Sequence, residues 1–335
     1  MREVTVVILN WNGQQLLEQF LPSVLASTYT QAEIWVADNG STDSSIAFVK
    51  ASFPQVKVVE LGKNYGFAEG NNRAVARVET PYVILLNSDV EVDPNWIGPL
   101  VSVLENNPEV AAVQPKIRSY HNKEYFEYAG AAGGMIDKLG YPFCRGRVFD
   151  HLEKDEGQYE EAADIFWASG ACCAIRTSVI KELGLFDGSY FAHMEEIDFC
   201  WRVLNHGYRV VYEPNSLVYH VGGGTLDYGN PRKTFLNVRN SLATLMKNLP
   251  KGQVFPKIFA RLLLDGVWGI QLLIKGQFAG FWAIIRAHFA FYGRLGAYRR
   301  FRREVYKTPP EHIPSSGLFK GSIVWDYFVK GRKVS

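Results

Sequence analysis

Cysteine is scarce. Cys144, Cys172, Cys173 and Cys200 are the only four in 335 residues, none forms a C-x-x-C pair, and Cys172 and Cys173 are adjacent. That pattern argues against a disulfide framework and points to reduced thiols in a cytosolic protein. Long apolar runs are missing too. The run over residues 4–9, after Met1-Arg2-Glu3, is too short for a signal-peptide core, so no export is expected. No uncharged stretch approaches the roughly 20 residues of a bilayer-spanning helix. The sequence also lacks G-x-x-x-x-G-K-[ST] and G-x-G-x-x-G, which argues against a P-loop or a dinucleotide fingerprint. What is abundant is apolar: 47% hydrophobic residues suffice for a substantial core and argue against a disordered chain.

Net charge is small, at +2, but it is divided unevenly. Residues 249–335 hold 15 Lys or Arg against 4 Asp or Glu, a net +11, whereas residues 1–248 hold 21 against 30, a net −9. The split separates an acidic segment, 1–248, from a basic one, 249–335, and points to an anionic surface, membrane or nucleic acid, as partner of the second.

Within the first segment, strands and helices alternate. Residues 4–9 lead into the turn Asn10-Trp11-Asn12-Gly13, after which Leu16, Leu17, Phe20, Leu21, Val24 and Leu25 recur at helical spacing. Residues 34–37 open a second unit, with Asp38-Asn39-Gly40-Ser41-Thr42-Asp43 as loop and a helix over 44–51. A strand over 56–61, a loop over 62–66 and a helix over 68–78 make a third. Val83-Ile84-Leu85-Leu86 lacks alternation, as suits a strand covered on both faces. Such a series predicts an α/β fold with a mostly parallel sheet, placing Trp11, Asp38, Asn64 and Asn87 on one sheet edge.

Ligands of open α/β sheets bind at that carboxyl edge, so the delivery of Asn87, Asp89 and Glu91 there reads as a metal or phosphate site. A capped turn before Pro94 is the plainer alternative. The Asp38 carboxylate is suited to accept the imide N–H of uracil or thymine, although Asx and Gly residues also serve ordinary turns. A helix starting after Asn64-Tyr65-Gly66 would aim its N-terminus at phosphate or base.

The ordered set Val4-Thr5-Val6-Val7-Ile8-Leu9-Asn10-Trp11-Asn12, Val36-Ala37-Asp38-Asn39-Gly40-Ser41-Thr42-Asp43, Asn64-Tyr65-Gly66-Phe67 and Leu85-Leu86-Asn87-Ser88-Asp89 resembles glycosyltransferase family 2, in its bacterial rhamnosyltransferase-like branch. The resemblance implies a GT-A fold and donor contacts from Asn10, Asp38, Asn64, Asn87 and Asp89. The family's D-x-D motif is written Asn87-Ser88-Asp89, leaving Asp89 as the main carboxylate for Mg2+ or Mn2+.

Farther on, residues 114–140 have no clear assignment, and the charged residues 142–163 read as a mobile loop over the site or as acceptor contacts. Trp167-Ala168-Ser169-Gly170-Ala171 resembles the family's acceptor-side segment, with ordinary core as the alternative for Trp167. Glu195, Glu196 and Asp198 fall in the first turn of a helix, where the macrodipole favours anions, and their crowding raises carboxyl pKa values. Arg202, one turn beyond Asp198, is placed to orient these carboxylates through an ion pair. The stretch resembles the family's E-D-x-D-x-x-x-R block with Glu196 in place of the second acid, which implies that Glu196 is the general base. Strands are expected over 208–212 and 217–220, broken at Pro214, and the resemblance makes His220 a metal ligand. The glycines at 222–224 read as a lid or a turn. In the helix expected over 232–249, Arg239 and Asn240 are within reach of phosphate or lie on a solvated face.

Residues 254–306 mix aromatic and aliphatic residues with cations. They read as amphipathic helices on a membrane surface, with Tyr298-Arg299-Arg300-Phe301-Arg302-Arg303 meeting anionic head groups. A helical hairpin packed on the catalytic segment is the alternative. No nucleic acid is expected, because no recognisable module accompanies the charge. The resemblance implies an inverting transferase using a nucleotide sugar such as dTDP-L-rhamnose. Its acceptor would be lipid-linked or polysaccharide, at the cytoplasmic face of a bacterial cell membrane. An inactive membrane-associated scaffold of the same fold and a glycoside hydrolase are the competing classes.

Overall fold

The computed structural model describes residues 3–222 and 230–332; Gly223 and Gly224 of the expected lid or turn lie outside them. The chain opens with β1 (Val4–Asn10), α1 (Gln14–Leu25), β2 (Ala32–Asp38), α2 (Ser45–Ser52), β3 (Lys57–Glu60) and α3 (Gly66–Val75). Next come β4 (Tyr82–Asn87), β5 (Val90–Val92), α4 (Ile97–Asn106) and β6 (Val110–Ser119). Four short strands follow, β7 (Gly134–Asp137), β8 (Pro142–Cys144), β9 (Arg147–Val148) and β10 (His151–Leu152). Then β11 (Ala163–Asp164), β12 (Cys172–Arg176), α5 (Thr177–Leu183), α6 (Glu195–Asn205) and β13 (Arg209–His220) complete the main sheet. Helices α7 (Pro231–Asn248), α8 (Lys251–Ile274), α9 (Phe278–Tyr292) and α10 (Leu295–Val305), then β14 (Leu318–Phe319) and α11 (Ile323–Phe328), finish the chain.

The main sheet runs β11-β13-β6-β12-β4-β1-β2-β3, with β5 added against β13. Strands β4, β1, β2 and β3 are mutually parallel. Since β12 is antiparallel to both β4 and β6, while β6 and β13 are parallel, six of the strands share one direction. Both faces are covered, as the unbroken apolar run over 83–86 predicts: Val83 and Leu85 enter one core cluster, Ile84 and Leu86 the other.

Two expectations need correction. Residues 209–220 form one strand, not two, and Pro214 sits in a bulge where the pairing jumps from Glu213–Pro115 to Leu217–Lys116. Lacking an N–H, proline interrupts the ladder without ending the strand. Residues 134–152, left without an assignment or read as a loop, build a second sheet of order β10-β9-β8-β7-β14. The segment after it is pinned rather than loose, because buried Asp155 pairs with Lys116 at 3.1 Å and with Arg118. The basic segment is woven into the body: β14 pairs with β7, and Asn205 Nδ2 donates to Tyr306 Oη at 2.9 Å.

Candidate active site at the carboxyl edge of the sheet

Register places the donor-loop residues side by side. Asn10 is opposite Asp38, and Leu9 is opposite Asn87, so the ends of β1, β2 and β4 are adjacent. The loops that follow are interlaced. Asn12, at φ 52°, accepts from the Thr42 N–H at 2.7 Å through Oδ1, and the Asn12 N–H donates to Ser41 Oγ at 2.9 Å. Gly40 has φ 77°, and a Cβ there would run into the Lys63 backbone, so only glycine lets the 38–43 loop touch the 62–66 loop. Asn39 then bonds the second loop, accepting from the Tyr65 N–H at 3.0 Å and donating to Gly66 O at 3.0 Å.

Burial sorts the five expected donor residues. Asn10 is fully buried and donates to Ser41 Oγ and Ser45 Oγ at 3.1 and 3.0 Å, so it shapes the loop from behind and is not open to a ligand. Asp38 is nearly buried and accepts from the Ser41 N–H. Asn64 is exposed, with Oδ1 taking the Gly66 N–H at 2.8 Å. Asn87 is half-buried at the strand end, and its N–H donates to Ala171 O at 2.9 Å. The N-terminus of α3 is not open to phosphate: the Phe67 and Ala68 N–H groups donate to Phe191 O at 2.7 and 3.1 Å. With its first donors satisfied inside the protein, that helix end has little left for an anion.

Asp89 and His220 meet because β13 ends against β5, with His220 opposite Val90 and the Val221 N–H donating to Asp89 O at 3.1 Å. Asp89 Oδ1 lies 3.2 Å from His220 Nε2, and Glu127 Oε2 lies 3.1 Å from His220 Nδ1. Burial alone would lower the imidazole pKa, but the two carboxylates outweigh it and push it up to about 10. His220 in turn holds the Asp89 carboxyl below its ordinary range against the opposing effect of burial. Oδ1 and Nε2 are close enough that they could hold one Mg2+ or Mn2+ between them once the Nε2 proton leaves. Among the described residues, no three His, Cys, Asp or Glu side chains are grouped to hold a metal alone. Protein ligands would therefore be completed by phosphates and water, as is usual for Mg2+. Glu127, within the stretch that sequence reasoning left unassigned, carries no motif that could have marked it.

Glu196 occupies a small recess with Leu85, Ser169, Gly170, Cys173 and Phe199, and its Oε2 is buried without a hydrogen-bond partner. Burial pushes this carboxyl up to about 7. Glu195 is buried beside it and is raised well above the carboxylate range, by burial first and by Glu196 second. The loop after Trp167 links this recess to the strand that carries the donor residues, since Ser169 and Gly170 line it and Ala171 O holds Asn87.

Asp198 and Arg202 are sealed in the interior. Asp198 Oδ2 meets Arg202 Nε at 3.1 Å and Lys247 Nζ at 2.8 Å, and Asn248 Nδ2 donates to Oδ1 at 2.8 Å. They orient α6 against α7 and do not face an acceptor. Trp167 is likewise core, with its indole N–H donating to Met135 O at 2.8 Å. Arg239 and Asn240 reach neither phosphate nor solvent. Asn240 Nδ2 donates to Tyr190, Ala192 and His193 carbonyls at 3.1, 3.0 and 2.7 Å, and Arg239 Nη2 to Ser189 and Tyr190 carbonyls. They clamp the segment leading to Glu196, in which Phe191, His193 and Met194 hold φ of 67°, 69° and 73°. Positive φ at three bulky residues is costly and persists only when the surroundings impose it.

Sheet order and paired carboxyl-edge loops give the chain the GT-A fold. S. aureus TarS 1–349 in complex with UDP-GlcNAc matches with a TM-score of 0.57 at 15% identity, over 91% of this chain and 90% of that one. GalNAc-T7 with UDP, GalNAc and Mn2+ matches with a TM-score of 0.56 at 18% identity, over 74% of this chain and 48% of that one. At these identities the likeness concerns the fold. The family model "Glycosyl transferase family 2" covers residues 5–184, more than half of the chain, and the chain belongs to that family, in its rhamnosyltransferase-like branch. A relative named N-acetylglucosaminyl-diphospho-decaprenol L-rhamnosyltransferase, from Mycobacterium tuberculosis, is 29% identical over 230 residues, 64% of this chain and 75% of that protein. The O-antigen biosynthesis protein RfbC of Myxococcus xanthus is 27% identical over 222 residues, 65% of this chain and 17% of that protein.

Proposed function

We propose that this glycosyltransferase inverts the anomeric centre of a sugar carried by a nucleoside diphosphate, dTDP-L-rhamnose by preference, as it passes the sugar to a hydroxyl of a lipid-linked or polysaccharide acceptor. The convergence of Asp89 and His220, remote in sequence yet 3.2 Å apart at the donor edge, carries this reading. The name of the mycobacterial relative supports rhamnose as the sugar and a polyprenyl-linked glycan as the acceptor class. Asp38 takes the imide N–H of the base, while the loops around Asn64 and Asn87 bound the donor. A divalent cation, Mg2+ or Mn2+, held by Asp89 and His220 would neutralise the pyrophosphate as a Lewis acid.

The Glu196 carboxylate removes the acceptor hydroxyl proton as the hydroxyl oxygen bonds to the anomeric carbon. The bond from that carbon to the diphosphate oxygen breaks, its electron pair leaves with the nucleoside diphosphate, and one displacement inverts the centre. Glu195, kept neutral by its burial, adds no second charge beside the base. Trp167, Asp198 and Arg202 support the acceptor side through packing. The acceptor is met at the cytoplasmic face of the cell membrane, with the basic segment 249–335 against anionic lipid and no nucleic acid involved. No helix among the described residues is long and apolar enough to cross a membrane.

A thermal-shift panel of UDP, dTDP and GDP sugars with and without Mn2+ tests the donor assignment, because a ligand that binds the native state raises its apparent stability. A metal-dependent rise with a dTDP sugar is expected. Melting that no nucleotide sugar displaces would remove the assignment.

A further inference from the structure

Helix α8 is built inside out. The side turned to the protein carries Arg261 and Asp265, only 4% and 3% exposed. Arg261 donates to Gly140 O at 3.1 Å and Ser241 Oγ at 2.9 Å, and its guanidinium lies 3.7 Å from the centre of the Tyr141 ring. Asp265 Oδ2 meets His288 Nε2 of α9 at 3.1 Å. The opposite side carries Phe255, Phe259, Leu263, Val267, Ile270 and Ile274, between 53% and 81% exposed. Their spacing of three and four residues lines them up in one stripe. Phe278, Trp282 and Phe289 extend the exposed apolar set along α9. Arg261 and Asp265 are the only charged residues between Lys257 and Lys275, so the outward surface carries no charge over residues 258–274, ~25 Å of helix.

Helices facing water show the reverse polarity, as α1 does with Leu17, Phe20, Leu21 and Val24 turned to the sheet. A contiguous apolar face of this extent marks a surface that water does not cover in use. Cations border it: exposed Lys251 and Arg294 at the open end of the hairpin and exposed Lys275 at its turn, with exposed Arg286 on α9 between Trp282 and Phe289. Exposed Arg299, Arg300 and Arg303 follow on α10. A second copy docked by two-fold symmetry would bring like-charged segments together, whereas anionic head groups complement them.

We infer that the α8–α9 hairpin is a monotopic membrane anchor, its outer stripe entering the head-group and acyl boundary, so that apolar insertion and not charge alone holds the protein on lipid. The inference deepens the membrane partner proposed above and does not rest on the donor, metal or base assignments. A helix lying in the membrane plane buries its apolar face ~5–10 Å deep, which one stripe on α8 and α9 can do without crossing.

Flotation of the full chain with neutral phosphatidylcholine vesicles and with vesicles containing phosphatidylglycerol, at low and high salt, tests this. The chain is expected to float with both in high salt. Leu263→Glu with Val267→Glu and Ile270→Glu should lower the bound fraction about tenfold or more on either vesicle. Because those side chains point outward, circular dichroism melting and the nucleotide-sugar thermal shift of this variant should match the parent. In contrast, Arg299→Gln with Arg300→Gln and Arg303→Gln should weaken only the low-salt binding to phosphatidylglycerol vesicles. Flotation confined to anionic vesicles and released by salt would overturn insertion while leaving the head-group contact standing. Absence of flotation with a dimer in sedimentation that the Glu substitutions dissolve would give the face to a second copy and overturn the anchor. Absence of both would overturn it as well.

Discussion

Two clusters of acids and cations in this molecule look alike on paper and behave as opposites. Asp89, Glu127 and His220 lie at the sheet edge, and Asp198, Arg202 and Lys247 lie between α6 and α7. In the second, every charge is answered. Arg202 also donates to Leu183 and Gly184 carbonyls, and Lys247 also reaches Asp187 at 3.0 Å. A buried network so fully paired fixes geometry and has nothing left to offer a ligand. In the first, two carboxylates crowd one imidazole, so a single ring faces two charges. Glu196 belongs with the first kind, since its oxygen is buried and unpartnered.

Substitution can break that contrast at several points. Glu196→Gln should lower kcat by ~10²–10⁴, the scale of a lost general base, with the donor thermal shift intact. In the parent, kcat/KM should climb with pH through about 7, where the Glu196 carboxyl, raised by burial, loses its proton. The sign for stability is opposite: a carboxyl with a raised native pKa binds more protons folded than unfolded, so it disfavours the native state as pH rises from ~4.3 towards 7. Glu196→Gln should flatten both profiles, and a retained pH limb in kcat/KM would assign the base elsewhere.

Lys247→Met leaves Asp198 buried with one partner fewer and should cost ~3–5 kcal/mol in chemical denaturation, the scale of a broken buried ion pair. If it costs nothing while kcat falls, the inner cluster is not structural. The mildest change is Glu127→Gln. It should weaken Mn2+ binding measured by calorimetry ~10–100-fold, the usual scale for losing the carboxylate behind a metal-bound histidine, with little change in melting.

The donor half of the molecule was legible because its signals are local. Strands over 4–9, 34–37 and 83–86 end in loops of Asn, Asp and Gly, and parallel topology does the rest, bringing Asn10, Asp38 and Asn87 into register. Asn10 carried the motif but not the exposure, and exposed Asn64 turns its Oδ1 to the Gly66 N–H, since a short amide serves a loop and a ligand equally well from sequence. The acceptor half depends on contacts made at long range. Nothing near Glu127 announces His220, and nothing near Arg239 or Asn240 announces the loop they clamp. The small sheet escaped notice because strands of two to four residues carry no period to read. The tail showed its amphipathic spacing, yet spacing alone does not say which side of a helix meets the protein.

The bulge at Pro214 sets a length constraint on the Asp89–His220 pair. Three residues of β13, Pro214, Asn215 and Ser216, have no counterpart on β6 between Pro115 and Lys116. Successive side chains on a strand point to opposite faces, so loss or gain of one residue there would slip the remaining ladder and turn His220 away from Asp89. Chain length across residues 214–216, and not the identity of those residues alone, therefore determines whether an imidazole arrives at the donor edge.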